Sequence, residues 1–123
     1  MALGTLIPAL LLAQVAPAVA VEDPAVEQAD AAYEQLAAGH TEDAITHLEA
    51  LLEETPGDPS LLINLGTAYA RAGRMNEARD AFREAIASDK RYRVQLADGS
   101  WEDSRKVARL ALDSLDRTAF AAK

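Results

Sequence analysis

The stretch "NLGTAYARAGRMNEARDAFREAI", Asn64 to Ile86, decides the fold. It reads as two helices back to back, parted at Gly73, with Leu65 and Tyr69 on one apolar stripe and Ala78, Phe82, Ala85 and Ile86 on the next. Gly66 stands in the interior of the first helix, where glycine costs roughly 1 kcal/mol relative to alanine. That position therefore needs a reason outside its own helix.

Working outward, the same punctuation recurs. Asp23-Pro24 offers an N-cap followed by proline at the first helical position, and helical spacing then runs to Gly39, a C′ residue. A second helix starts near Thr41, carries Ala44, Ile45, Leu48, Leu51 and Leu52, and stops before Pro56-Gly57. Asp58-Pro59 repeats the start signal for a third helix with Leu62, Leu65, Gly66 and Tyr69, ending at Gly73. The fourth ends near Ser88-Asp89. The period then changes. Tyr92, Val94 and Leu96 alternate with Arg93, Gln95 and Ala97, and Asp98-Gly99 is a two-residue hairpin signal. That turn sets Ala97 opposite Ser100 and Leu96 opposite Trp101, and an isolated hairpin is marginal, so Trp101 is expected to dock it on the helices. Asp103 or Ser104 then caps a last helix with Val107, Leu110, Ala111 and Leu115 on one stripe.

With 123 residues, half of them hydrophobic but only 5% aromatic, the chain suits one helical domain packed through small side chains. The lack of cysteine excludes disulfides, thiolate chemistry and cysteine metal sites. The first twenty residues carry no charged side chain, and Leu6–Val15 is a short apolar run followed by Pro17 and Ala18-Val19-Ala20. This resembles a secretory signal peptide with its cut read at Ala18 and Ala20, although the n-region has no Lys or Arg. The expectation is export, with no stable membrane insertion after cleavage; the rival readings are an uncleaved membrane anchor and a buried N-terminal helix. Charge is uneven: Val21–Asp58 holds eleven acidic and no basic residues, Pro59–Lys123 nine acidic and twelve basic, for a net −8. The simplest reading is an acidic solvated face, and the alternative is a charge dipole that orients a cationic partner or drives head-to-tail contact between copies.

The two helix pairs match at a fixed offset: Gly39 with Gly73, Ala44 with Ala78, Leu48 with Phe82 and Leu51 with Ala85 are each 34 residues apart. On these residues the chain resembles the tetratricopeptide repeat family, whose helix–turn–helix unit has that period. The second unit shows Leu62, Leu65-Gly66, Tyr69, Gly73, Ala78, Phe82 and Ala85 at the family's signature places and departs at Lys90, where proline is usual. The first keeps Ala32, Gly39, Ala44, Leu48, Leu51 and Pro56, with Gln28 and Gln35 where bulky residues are usual. The resemblance implies an all-α right-handed superhelix of two repeats, about 25–58 and 59–92 within 21–92, and residues 93–123 supply the β-hairpin and a capping helix that solubilises the array. It also gives Gly66 its reason: the paired helices cross closely, with Ala78 as the small counterpart and Ala85 keeping the contact with the following helix small. A small exported bacterial protein of this kind is the looser part of the likeness.

Catalytic constellations are lacking. His40 and His47 are seven apart and do not have metal-ligand spacing, even with Glu42, Asp43 and Glu49 nearby, so no metal is expected. The six glycines are scattered and form no phosphate cradle, so no cofactor is expected either. Lys90-Arg91-Tyr92-Arg93 is too small a basic run, on a chain of net −8, to signal nucleic acid. What the resemblance implies instead is a non-enzymatic protein–protein interaction module, in which first helices line a concave groove for a protein or peptide ligand. The positions that carry over are Ser60, Ile63, Asn64, Thr67, Ala70 and Arg71, and before them Val26, Ala29, Asp30, Tyr33, Leu36 and Ala37. Tyr33, Ser60, Ile63, Asn64, Thr67 and Arg71 are the candidates for contact. A carboxylate-clamp function is not expected, because Ile63 and Thr67 depart from that pattern and the first repeat contributes Asp30. The expected setting is the cell envelope, with the chain exported to the periplasm as a scaffold; the alternative is a self-associating structural or assembly subunit of an envelope complex, a homo-oligomer.

Overall fold

A computed structural model describes residues 32–96 and 98–121. The leader at 1–20 with Ala18 and Ala20, the Asp23-Pro24 helix start, the groove candidates Val26, Ala29 and Asp30, and the facing of Ala97 lie outside the described residues. Within them the order is a helix over residues 32–37 (α1), α2 (Thr41–Glu54), α3 (Pro59–Arg71), α4 (Met75–Ala87), β1 (Arg93–Gln95), β2 (Trp101–Asp103) and α5 (Ser104–Ala121).

Both hairpin junctions close with the same hydrogen bonds, displaced by 34 residues. After α1 the Gly39 N–H donates to Leu36 O and the His40 N–H to Gln35 O, at 3.1 and 2.8 Å. After α3 the Gly73 N–H donates to Ala70 O and the Arg74 N–H to Tyr69 O, again at 3.1 and 2.8 Å. Gly39 and Gly73 have φ of 89° and 80°, a left-handed conformation that side-chain-bearing residues resist and that ends a helix by satisfying its last carbonyls. At the start of α3 the Asp58 carboxylate accepts from the Ser60 and Leu61 N–H groups at 2.8 and 3.2 Å, with Pro59 at the first helical position.

Apolar stripes from every helix meet in one core: Ala32 and Leu36, then Ala44, Ile45, Leu48 and Leu51, then Leu61, Leu65, Ala68 and Tyr69, then Ala78, Ala81 and Phe82. Gly66 is buried, and the three atoms nearest to where its Cβ would lie all belong to the Phe82 ring. Ala78 and Ala85 are both fully buried, and Ala85 meets Leu62 and Ala108 in a smaller cluster where α5 closes on α3 and α4.

Two expectations for the tail are corrected. The hairpin pairs Gln95 with Trp101, Val94 with Glu102 and Arg93 with Asp103, one residue away from the Leu96–Trp101 pairing. The reason lies in the turn. Leu96 N–H donates to Ser100 O and Gly99 N–H back to Leu96 O, so the loop spans three residues and Gly99, at φ 88°, supplies its left-handed position. Such a slip exchanges the faces of a strand, and Trp101 is left 43% exposed instead of docked. The hairpin is joined to the helices through Ser104: its N–H donates to Tyr92 O at 2.8 Å and its buried Oγ accepts from the Tyr92 N–H at 3.1 Å. In α5, Leu110 is 55% exposed and Val107 half-buried, whereas Ser104, Ala108 and Leu115 are buried and Ala111 and Leu112 pack against the core. The small residues win the inner face because they let α5 approach Leu62 and Ala85 closely. Asp103 caps the helix, accepting from the Arg105 N–H at 2.8 Å.

Candidate functional site

Helix α3 is divided by periodicity into two faces. Leu61, Leu62, Leu65, Gly66, Ala68 and Tyr69 are buried, and Ser60, Ile63, Asn64, Thr67 and Ala70 form a half-buried stripe at spacings of three and four. Residue types follow burial: the half-open stripe bears no charge. Tyr33, 34 residues before Thr67, stands on α1 and is 48% exposed. Leu36, at the repeat position of Ala70, is buried, whereas Ala37, at the position of Arg71, is exposed.

Three of the candidates also have contacts within the chain. Ile63 packs partly against the core, and the Thr67 hydroxyl donates to Ile63 O at 3.0 Å. The Arg71 Nη1 donates to Leu36 O at 3.1 Å, so this guanidinium ties α3 to the C-terminal end of α1, where a cation complements the free carbonyls. Arg71 is thus partly an architectural residue. Tyr33, Ser60 and Asn64 are the candidates whose side chains make no hydrogen bond among the described residues.

On the other side of α3 a second surface is present that residue patterning did not bring forward. A cleft of about 320 Å³ opens between α2, α3 and α4, lined by Leu52, Leu62, Leu65, Tyr69 and Ala81 with Glu49, Glu77, Asp80 and Glu84 around it. Its signal was the spacing of Glu77, Asp80 and Glu84 on one flank of α4, which only gains meaning once Glu49 arrives from α2. Tyr69 links the two helices here, its hydroxyl donating to Glu49 Oε2 at 2.5 Å. Burial, then the Glu49 hydrogen bond, then the Glu49 and Glu77 charges push the phenol well above its ordinary value. Arg74 lies over the Tyr69 ring at 4.7 Å from its centroid and grips Glu77 through Nε and Nη2 at 2.8 and 2.7 Å. That grip holds the Glu77 carboxyl below the usual carboxylate range.

The basic run is engaged internally. Lys90 Nζ donates to Pro56 O at 2.9 Å, Arg91 pairs with Asp103, and Arg93 Nη2 donates to Trp101 O at 3.1 Å. Lys90 is the departure from the repeat signature, and it reaches the residue 34 positions earlier in the chain. His40 is exposed, and His47 lies 3.3 Å from the Gln35 side-chain oxygen. Among the described residues no group of three or more His, Asp or Glu side chains could hold a metal ion, and no helix is long and apolar enough to cross a membrane.

Comparison with known proteins agrees with this geometry in one respect: residues 29–92, just over half of the chain, match a family model described as tetratricopeptide repeat. A search of the curated proteins finds no match.

Proposed function

The chain belongs to the tetratricopeptide repeat family, and from that premise we propose that it is a non-enzymatic interaction module that holds a segment of a partner protein against α1 and α3. Repeats of this family generally mediate protein–protein interaction. The observation that supports the reading here is the uncharged, half-open stripe Ser60–Ile63–Asn64–Thr67, continued at the equivalent repeat position by exposed Tyr33. Such a surface suits the main chain and apolar side chains of a peptide: the Asn64 amide offers two donors and an acceptor, Ser60 a hydroxyl, and Tyr33 a large amphipathic ring. No catalytic group is assigned. The leader-like composition of residues 1–20 supports a module that is exported to the bacterial periplasm and acts there as a scaffold of the cell envelope.

Affinity capture from the cell envelope, with the chain beginning near Val21 as bait, tests this. Tyr33→Ala and Asn64→Ala are expected to reduce recovery of a specific protein while melting temperature stays near that of the parent. Equal recovery with both substitutions would remove the inner stripe from consideration.

A further inference from the structure

The cleft between α2, α3 and α4 and the exposed face of α5 are complementary in charge, and both belong to the same chain. Ser104, Ala108 and Leu115 face inward, and Arg105 and Asp116 bond to Ser88 O and Arg79 on the α4 side. The opposite face of α5 carries Lys106, Leu110, Asp113 and Arg117 at spacings of four, three and four, with Arg109 beside them, all exposed. It presents a leucine 55% open to solvent among three cations and one acid. The cleft presents the reverse: an apolar floor that includes Leu52, with four carboxylates around it. Glu77 is already neutralised by Arg74, and Glu49 takes a hydrogen bond from Tyr69, which leaves Asp80 and Glu84, one turn apart on α4, without an ion-pair partner among the described residues.

We infer that copies of this chain associate head to tail, Leu110 of one copy entering the outer cleft of the next, with Arg109 and Arg117 meeting Asp80 and Glu84. Two unlike surfaces joined in this way do not pair as a twofold dimer does, so the assembly extends copy by copy, as an open chain or, where the rotation closes, a ring. Lys106 is held by Glu102 at 3.1 Å, and Asp113 opposes the acidic rim, so the attraction rests on the two arginines and the buried leucine. Exposed ion pairs are individually weak and are screened by salt, so the association is concentration-dependent and loosens as ionic strength rises. It uses the face opposite to the peptide stripe, and a chain can assemble while that stripe stays open.

Sedimentation equilibrium of the chain from Val21, over a range of concentrations at low and high salt, reads this out. The parent is expected to grow in average mass with concentration at low salt and to fall toward one chain at high salt. Arg109→Glu with Arg117→Glu, and separately Asp80→Lys with Glu84→Lys, are each expected to sediment as a single chain with unchanged helical circular dichroism. Mixing the two variants in equal amounts restores association, because each then faces its opposite charge, and Leu110→Asp abolishes it. A parent that stays monomeric at every concentration, association that persists through both charge reversals, or a mixture that remains monomeric would overturn the inference.

Discussion

The Phe82 ring occupies the space a side chain at Gly66 would need: a Cβ built there lies 2.5 Å from Phe82 Cε1 and 2.7 Å from Cδ1. Phe82 is itself buried, 3% exposed, so the ring can yield only by disturbing its core neighbours. The first repeat makes the opposite choice at the equivalent places, with Ala32 and Leu48, both fully buried. A larger residue on one helix goes with a smaller one on its mate.

Gly66→Ala is therefore destabilising. Overpacking a close-packed core costs about 1–3 kcal/mol, against roughly 1 kcal/mol gained in helix propensity. Phe82→Leu introduced beside it recreates the pairing of the first repeat, and the double variant is expected to unfold at higher denaturant than Gly66→Ala alone. A double variant that loses the sum of the two single losses would show that the ring and the glycine are not coupled.

The Asp58 cap makes a simpler claim. Asp58→Ala leaves the Ser60 and Leu61 N–H groups without their carboxylate and should lower stability by about 1 kcal/mol. Urea unfolding followed by circular dichroism at 222 nm is a sufficient measurement; an unchanged midpoint would mean that solvent serves the helix end equally well.

Tyr69 predicts a pH dependence. Its folded pKa is raised above the ordinary value of about 10, so its stabilisation is fully present below pH ~10 and is lost as pH rises through the folded value, where the unfolded chain is already ionised. Tyr69→Phe removes the hydroxyl bond to Glu49 and should lower stability at neutral pH by about 1.5–3 kcal/mol. It should also flatten the loss of stability as pH rises from about 10 upward. Melting curves of both proteins across that interval decide the point; parallel alkaline limbs would count against the coupling.

Ser104→Ala addresses the tail. The buried Oγ is the acceptor for the Tyr92 N–H, and its removal strands that donor at a cost of about 1–3 kcal/mol. Hydrogen exchange at Tyr92 is expected to accelerate more than exchange in α3. Uniform acceleration would instead indicate that hairpin and helices open as one unit.

Local signals made most of this fold legible. Gly39, Gly73 and Asp58-Pro59 act within a turn of their own position, so their meaning does not depend on the rest of the chain. The 34-residue offset added the pairing of helices. Features that depend on distant partners were harder to read. The two-residue reading of Asp98-Gly99 missed the three-residue loop, and with that single slip Trp101 changed from anchor to exposed side chain. In α5 the sequence stripe assigns Leu110 to the core, yet Ser104 and Ala108 hold the inner face, where Ala108 meets Leu62 and Ala85. Arg71 illustrates the same limit at the candidate site, since its bond to Leu36 O spans two helices. The outer cleft assembles carboxylates from α2 and α4, which no single segment reveals.

The proposed role rests on the α3 stripe being a contact surface, and site-specific photo-crosslinking in the native cell tests it most directly. A crosslinker replacing Tyr33 or Asn64 is expected to give an adduct with one and the same partner protein, and a crosslinker replacing Arg83, exposed on α4, is expected to give none with that partner. Adducts of that partner from position 83 but not from 33 or 64 would contradict the account.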